Sequence, residues 1–205
     1  MMLHKWFHPP LPAKQPRAQV APADLALFSS KRGHRIATRL ATRTDTGMIA
    51  DLLAGLSAQS LFLRYCMPMP RMAPEMVARE AARLGHAHAP QQLTVVALDG
   101  ASGADQVIGV AECVRDPTNP AVAEIALVVA DAYQRAGIGS ALIAHLVTAA
   151  RRQGIAALHA TALAENTGVR RMLARIGAPY TAEIRQGMLT VQFDLASATR
   201  ARDWR

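Results

Sequence analysis

The chain has 205 residues, a hydrophobic fraction of 51% and a formal net charge of +8. This length suits one domain with a full core, and the apolar content excludes a generally disordered protein. No apolar run reaches the roughly 18 residues that a membrane-spanning helix needs, so the sequence predicts no membrane association.

Charge and cysteine content limit the partners and the location that we expect. The arginines are scattered and are not interleaved with aromatic residues, so no nucleic-acid partner is predicted. A basic surface also suits polyanionic ligands such as nucleotides. The two cysteines, Cys66 and Cys113, fit a reducing cytoplasm and make neither a disulfide framework nor a metal site. We therefore expect a cytoplasmic protein without a bound metal.

The sequence divides into a leader, one domain and a short tail. Residues 1–33 are rich in proline and show no hydrophobic period, which predicts a poorly ordered leader. Regular hydrophobic periods begin at His34, and we expect one domain over residues 34–196. Residues 197–205 are expected to form a C-terminal tail.

The first part of the domain shows one strand pattern followed by helix patterns. The run HRIATRLAT predicts a first strand. Asp45 is expected to cap the helix that follows. The apolar face of this helix consists of Met48, Leu52, Leu53 and Leu56. A further helix is predicted over about 74–85, with Pro74 in its first turn and Gly85 at its end.

The pattern then changes to strands. Three strand-like runs, QQLTVVALDG, QVIGVAECVRD and AVAEIALVVAD, are separated by turn-rich segments and predict an antiparallel meander. A long helix follows Gly137, with Ile138, Leu142 and Leu146 on one face. A strand in GIAALHATAL, a helix over about 165–176 and two closing strands complete the order. This pattern predicts an α/β fold, with a mixed, mostly antiparallel central sheet of six to seven strands flanked by helices.

A glycine-rich segment, Gln134–Gly139, lies where the last meander strand gives way to the long helix. The first N–H groups of a helix have no intrahelical partner, and a phosphate can reach them where no bulky side chain intervenes. Arg135 adds a charged donor and Ser140 adds a hydroxyl. No Gly-Lys-Ser/Thr follows, which excludes a P-loop, and Leu142 replaces the third glycine of a dinucleotide fingerprint. The segment therefore indicates a different kind of anion site.

The string from Gln134 to Gly139 resembles the acetyl-CoA-binding motif of the GNAT superfamily of N-acetyltransferases, Gln/Arg-x-x-Gly-x-Gly/Ala. The order of elements from His34 to Leu195 is also similar to that fold. The resemblance implies acetyl-CoA (coenzyme A) as the cofactor. Its pyrophosphate would meet the loop amides, and its pantetheine arm would pair with the preceding strand. The residues implied in cofactor binding are Leu127, Val128, Val129, Gln134, Arg135, Ala136, Gly137, Ile138, Gly139, Ser140 and Asn166.

A second match lies in AENTGVRRMLARIGA, which resembles the downstream helix of the same family, with Asn166 and Gly177 in register. The resemblance implies that Asn166 contacts the cofactor arm. Leu173 stands where the family usually has the tyrosine that reprotonates the leaving thiolate, so no proton donor is identified. Arg170 and Arg171 are interpreted either as solvated helix residues or as contacts to the 3′-phosphate of the cofactor.

Two glutamates are candidates for the general base that takes a proton from an ammonium substrate. Glu124 stands in AVAEIALVV, a strand that is otherwise almost wholly apolar. If the hairpin closes symmetrically around Thr118, Glu124 faces Glu112 on the same side of the sheet. Two facing carboxylates repel each other, so the pKa of one of them is expected to rise. We predict Glu124 as the base and Glu112 as an accessory residue, the alternative being that either is a solvent-facing strand residue.

The segment before the meander is similar to the first helical region of bacterial protein lysine acetyltransferases. The shared positions are Leu56, Ser57, Ser60, Arg64 and Tyr65. This resemblance implies a protein lysine as acceptor, acetylated by direct attack in a ternary complex, with the oxyanion stabilised by a backbone N–H near Val129. A small amine of the aminoglycoside or polyamine type and a non-catalytic acetyl-CoA-binding sensor remain open. So does the choice between monomer and homodimer.

Overall fold

The computed structural model describes residues 26–31, 33, 35–86, 91–100, 106–173 and 179–196. These residues form an eight-stranded sheet with helices on both faces. The strands are β1 (Ala26–Ser29), β2 (Arg35–Leu40), β3 (Gln92–Asp99), β4 (Gln106–Arg115), β5 (Val122–Val129), β6 (Ala157–Leu163), β7 (Tyr180–Arg185) and β8 (Met188–Asp194). The helices are α1 (Thr46–Ala54), α2 (Ala58–Tyr65), α3 (Pro74–Gly85), α4 (Ile138–Arg152) and α5 (Thr167–Leu173).

The strand order across the sheet is β1-β2-β3-β4-β5-β6-β8-β7. Neighbouring strands are antiparallel except β5 and β6, which run parallel. A parallel pair needs a crossover connection, and α4 provides it between β5 and β6. The carboxyl end of β5 and the first turn of α4 therefore lie at the same end of the sheet.

The central strands of the sheet are buried on both faces by two hydrophobic cores, whereas the edge strands β1 and β7 are largely exposed. Side chains alternate between the faces along each strand, and every residue of β3 is buried. On one face, Val95 packs in a core with Leu142 and Leu146 of α4. On the other face, Val96 and Val110 pack in a core with α1 and α3. Helix α2 packs against β5 and β6.

Most of the predicted elements are confirmed, among them the first strand, the meander, the helices at 74–85 and after Gly137, and the closing hairpin. The sheet has eight strands rather than six to seven because β1 pairs with β2 as an added edge strand. The prediction of a poorly ordered leader is therefore wrong for Ala26–Ser29. Residues 1–25 and 197–205, for which the sequence predicts a leader and a tail, lie outside the described residues.

Asp45 does not cap α1 with its side chain, contrary to the expectation. Its carboxylate instead accepts hydrogen bonds from the backbone N–H of Thr42 and from two guanidinium nitrogens of Arg39, each at 2.7 Å. Burial alone would raise the pKa of this carboxyl, but the contacts with Arg39 and Thr42 lower it below its ordinary value. Asp45 thus ties the end of β2 to the start of α1.

Among the described residues, no single helix is long and apolar enough to cross a membrane. Two short helical stretches that meet at a bend of 113°, Arg43–Ala54 and Ala58–Tyr65, reach that length and composition only when they are taken together.

Candidate functional site

The parallel strands β5 and β6 diverge shortly after they meet. Their register pairs Val122 with Ala157, Ala123 with Leu158 and Glu124 with His159. Beyond these pairs β5 continues to Val129 and β6 to Leu163, and no described strand pairs with the facing edge of β5. The divergence leaves an opening between the two strands, and an extended ligand could add to that edge as a strand does.

The backbone groups that face this opening follow from the hydrogen bonds at the end of β5. Ala130 donates its N–H to the carbonyl of Ile108, on the β4 side, at 2.9 Å. The carbonyl of Val129, one residue earlier, accepts from the side chain of Gln134 at 3.1 Å. Successive residues of a strand present their backbone groups to alternate edges. The N–H groups of Val129 and Leu127 therefore face the opening.

The loop that follows β5 adopts left-handed backbone conformations at two positions. Arg135 has a φ of 63° and Gly137, the N-cap of α4, has a φ of 91°. The first intrahelical hydrogen bond runs from Ala141 to Gly137 at 3.1 Å. The N–H groups of Ile138–Ser140 consequently have no acceptor within the helix. Together with the exposed Arg135 and the positive end of the helix dipole, they form a site suited to an anion.

The loop is also fixed to the segment that follows the edge strand β1. The backbone N–H of Lys31, which follows β1, donates to the carbonyl of Ala136 at 3.1 Å. Ala136 and Ile138 are buried in the core beneath α4. The loop is therefore anchored both to the segment after β1 and to the core beneath α4.

The two candidate glutamates share a face of the sheet but do not pair directly. Glu124 lies opposite Val114, and Glu112 lies opposite Ala126, so the predicted register is wrong by two residues. A shift of two keeps both side chains on the same face, because side chains alternate with a period of two. This is the face of Val128, against which α1 and α3 pack. Glu124 also stands at the last paired position before β5 and β6 diverge.

Glu112 is held by two arginines in the interior. Its carboxylate accepts hydrogen bonds from Arg64 of α2 and from Arg83 of α3, the latter at 2.6 and 2.9 Å. Arg83 also pairs with Glu80 at 2.7 Å. Burial alone would raise the pKa of Glu112, but the two guanidinium groups lower it to about 2. The expectation that repulsion between the glutamates raises a pKa is therefore wrong for Glu112, which is a weak base in this setting.

The comparison with known families identifies the family of the chain. Residues 60–178, more than half of the chain, match the model of the Acetyltransferase (GNAT) family. The chain belongs to the GNAT family of acetyltransferases. This family identification confirms the resemblance seen in the glycine-rich loop, and it makes the chain an N-acetyltransferase by family.

A relative with an assigned name points in the same direction. The chain is 38% identical over 88 residues to the acetyltransferase Pat of Mycolicibacterium smegmatis (strain ATCC 700084 / mc(2)155). This match takes in 43% of the chain and 26% of the relative, so the chain spans only part of the relative's length.

Solved structures confirm the GNAT fold. The GNAT domain of S. lividans PAT superposes with a TM-score of 0.74 and 22% identity, covering 86% of this chain and 99% of that one. The yncA protein of Salmonella typhimurium, solved with its cofactor acetyl-CoA, gives a TM-score of 0.58 at 19% identity and covers 81% and 97%. A cAMP-binding acyltransferase from Mycobacterium smegmatis gives a TM-score of 0.54 at 22% identity, covering 89% of this chain and 54% of that one.

The second GNAT motif lies in α5 and in the residues before it. The side-chain oxygen of Asn166 accepts the N–H of Val169 at 3.1 Å and so caps this helix. Leu173 is 6% exposed and belongs to the core, so no proton donor stands at that position. Arg170 and Arg171 are both exposed. Gly177, the other motif residue, lies outside the described residues.

Several residues of the site have roles that the sequence analysis does not identify. Arg83 is one, since nothing in its helix indicates a partner in β4. Asp131 is another, since it accepts two hydrogen bonds from Ser57 and one from Ser60. The Ser-x-x-Ser-x-x-x-Arg spacing that ends at Arg64 indicates that these polar side chains share one face of a helix, because residues three or four apart do so. The spacing does not indicate which residues they bind.

Within the described ranges, no group of three or more His, Cys, Asp or Glu residues is placed so that it could hold a metal ion. His86 is the C-cap residue of α3, and His88 lies outside the described residues. Cys113 is buried, and burial raises the pKa of its thiol to about 12. It is therefore an apolar core residue rather than a nucleophile.

Proposed function

We propose that this GNAT protein transfers the acetyl group of acetyl-CoA to a primary amine, the side chain of a lysine in a protein substrate. The observation that carries the proposal is the opening between β5 and β6, which ends beside the first turn of α4. The open edge of β5 leads directly to the anion site at the first turn of α4. Acetyl-CoA has the matching chemistry, since amide groups of its pantetheine arm precede a pyrophosphate.

The cofactor-binding residues act mainly through their backbone. Leu127 and Val129 offer N–H groups along the extended part of the cofactor, from the pantetheine arm to the thioester carbonyl, and Val128 between them holds β5 in register with β4. The segment from Gln134 to Ser140 places its amides around the pyrophosphate, with the exposed guanidinium of Arg135 beside them. Asn166 lies beyond the end of β6, near the other side of the opening.

Glu124 serves as the general base in this proposal. A lysine ammonium must lose a proton before its nitrogen can attack a thioester, and Glu124 takes that proton directly or through a water molecule. The N–H of Val129, aimed into the opening, stabilises the negative charge that develops on the carbonyl oxygen. Leu173 supplies no proton, so the coenzyme A thiolate leaves unprotonated or takes a proton from water. Glu112, already neutralised by two arginines, fixes the arrangement of α2 and α3 around the base.

The choice of a protein lysine as acceptor is supported by the resemblance of the first helical region to bacterial protein lysine acetyltransferases. The partial similarity to the acetyltransferase Pat is consistent with acetyl transfer. Acetylation is tested by mixing the protein with acetyl-CoA and following free thiol, with lysine peptides, spermidine and an aminoglycoside as separate acceptors. Thiol release with the peptides alone supports the proposal. Thiol release only with spermidine or the aminoglycoside would instead indicate that the acceptors are small amines. Tight binding of acetyl-CoA without any turnover supports the sensor alternative.

The cytoplasmic location stays a prediction from the sequence.

Replacing Gly137 by alanine is expected to weaken acetyl-CoA binding about tenfold. At a φ of +91° a Cβ costs roughly 1–2 kcal/mol, so the loop relaxes and its amides turn away from the pyrophosphate. Calorimetric titration with acetyl-CoA measures the change. Gly47→Ala is the matched control: Gly47 is exposed within α1, has no left-handed φ and meets nothing within 4 Å. Unchanged affinity in Gly137→Ala would contradict the proposed role of the loop.

Replacing Leu127 by proline is expected to raise the Kd for acetyl-CoA about fivefold. It also removes the partly buried Leu127 side chain from the core, so some loss of Tm is expected, but a smaller one than in the control. The substitution removes one N–H that faces the opening, and one such hydrogen bond contributes about 1 kcal/mol. An open strand edge tolerates proline. Ala126→Pro is the control, because the N–H of Ala126 faces β4 and its loss breaks the ladder, lowering Tm sharply. The assignment of edges is wrong if Leu127→Pro is the less stable of the two variants.

A further inference from the structure

Asp131 joins the end of β5 to the start of α2. Its carboxylate accepts the backbone N–H of Ser57 at 3.0 Å and the hydroxyl of Ser57 at 2.6 Å. It also accepts the hydroxyl of Ser60 at 2.8 Å. Ser57 is the N-cap residue of α2, so the carboxylate also meets the positive end of that helix. Burial alone would raise the pKa of Asp131, but the hydrogen bonds from Ser57 and Ser60 lower it.

Gln134 extends this connection into the glycine-rich loop. Its side-chain amide donates to the hydroxyl oxygen of Ser60 at 2.8 Å and to the carbonyl of Val129 at 3.1 Å. Ser60 is only 6% exposed, and its hydroxyl accepts from Gln134 while it donates to Asp131. Each bond of such a chain strengthens the next. The chain runs from α2 through Ser60 to the last residue of β5.

We propose that Asp131, Ser60 and Gln134 form a positioning network that couples helix α2 to the acetyl-CoA loop. This inference rests on the proposed function. Gln134 holds the carbonyl of Val129, whose N–H points to the same edge of the strand and into the opening. The network therefore orients the groups that bind the cofactor, and it does so from the helix that carries Arg64, the partner of Glu112. The side chain of Gln134 acts through other residues, while its backbone remains part of the loop.

A double-mutant cycle tests the coupling between Ser60 and Gln134. Ser60→Ala and Gln134→Ala are each expected to raise the Kd for acetyl-CoA about fivefold. The double variant is expected to be no worse than either single variant, because both changes remove the same link. Thr148→Ala is the control, since Thr148 donates its hydroxyl to Ala144 within α4, outside the network. Additive effects of Ser60→Ala and Gln134→Ala would overturn the proposal.

Hydrogen exchange in the absence of cofactor separates the network from the proposed function. The amides of Arg135–Gly139 are expected to exchange faster in Ser60→Ala and in Gln134→Ala than in the wild type, and at the wild-type rate in Thr148→Ala. If the wild type binds no acetyl-CoA but these rates still rise, the proposed function fails and the network stands. If the rates are unchanged in both network variants, the network is wrong whatever the cofactor does.

Discussion

Glu124→Gln is expected to lower kcat for amine acetylation by roughly 100-fold to 10,000-fold, the usual contribution of a general base. Glutamine keeps the size of the side chain but cannot accept a proton at neutral pH. Affinity for acetyl-CoA is expected to stay the same, because Glu124 lies where β5 and β6 are still paired, outside the open part of the strand edge. Thiol release with a lysine peptide measures kcat, and calorimetry measures the affinity.

A matched control for this substitution is Glu183→Gln. Glu183 is an exposed residue of the edge strand β7 and forms an ion pair with the nearby Arg185, which is also exposed. The same change of charge there should leave kcat unaltered. A Glu124→Gln variant with the kcat of the wild type would remove Glu124 from the mechanism. Equal losses in both variants would show that the effect comes from net charge rather than from proton transfer.

Glu112→Gln is expected to cost about 3–5 kcal/mol of the free energy of unfolding, the usual cost of leaving buried charges without a partner. The side chain of Arg64 is 4% exposed and loses its counter-charge, whereas Arg83 keeps Glu80. Urea unfolding of the wild type and the variant measures the difference. A loss below about 1 kcal/mol would contradict the account of this ion pair.

Replacing both Arg64 and Glu112 distinguishes the cost of an unpaired buried charge from the cost of burying the pair. A variant with Arg64→Met and Glu112→Met removes both charges together, so it should be more stable than Glu112→Gln alone. The pH dependence gives a second readout. Because the pKa of Glu112 is lowered from 4.5 to about 2 in the folded state, its contribution is fully present above pH 4.5. This contribution is lost as the pH falls toward 2. The double variant should therefore lose less stability than the wild type over that pH range.

Much of the fold could be predicted from local sequence because local physics decides it. Pro74 and Gly85 mark the bounds of α3, and both are observed. The glycine that opens α4 has the left-handed φ that other residues avoid. The meander follows from alternating apolar runs between turn residues. The loop of the candidate site was identified for the same reason, since its chemistry resides in consecutive backbone amides.

The features that could not be predicted depend on partners far apart in the sequence. The register of β4 and β5 differs by two residues from the symmetric hairpin, and local pattern does not distinguish the two because both bury the same faces. Glu112 finds Arg64 across 48 residues, and no short spacing encodes that pair. β1 was missed because it is only four residues long and follows a proline-rich stretch.

The most direct test of the account is an NMR titration of acetyl-CoA into isotopically labelled protein, read at the backbone amides. If acetyl-CoA binds in the opening between β5 and β6, large shifts are expected at Leu127 and Val129 and at Ile138–Ser140, with much smaller shifts at Val128, whose N–H faces β4. Shifts confined to other parts of the molecule, or none at saturating acetyl-CoA, would contradict the assignment of the opening between β5 and β6 as the cofactor site.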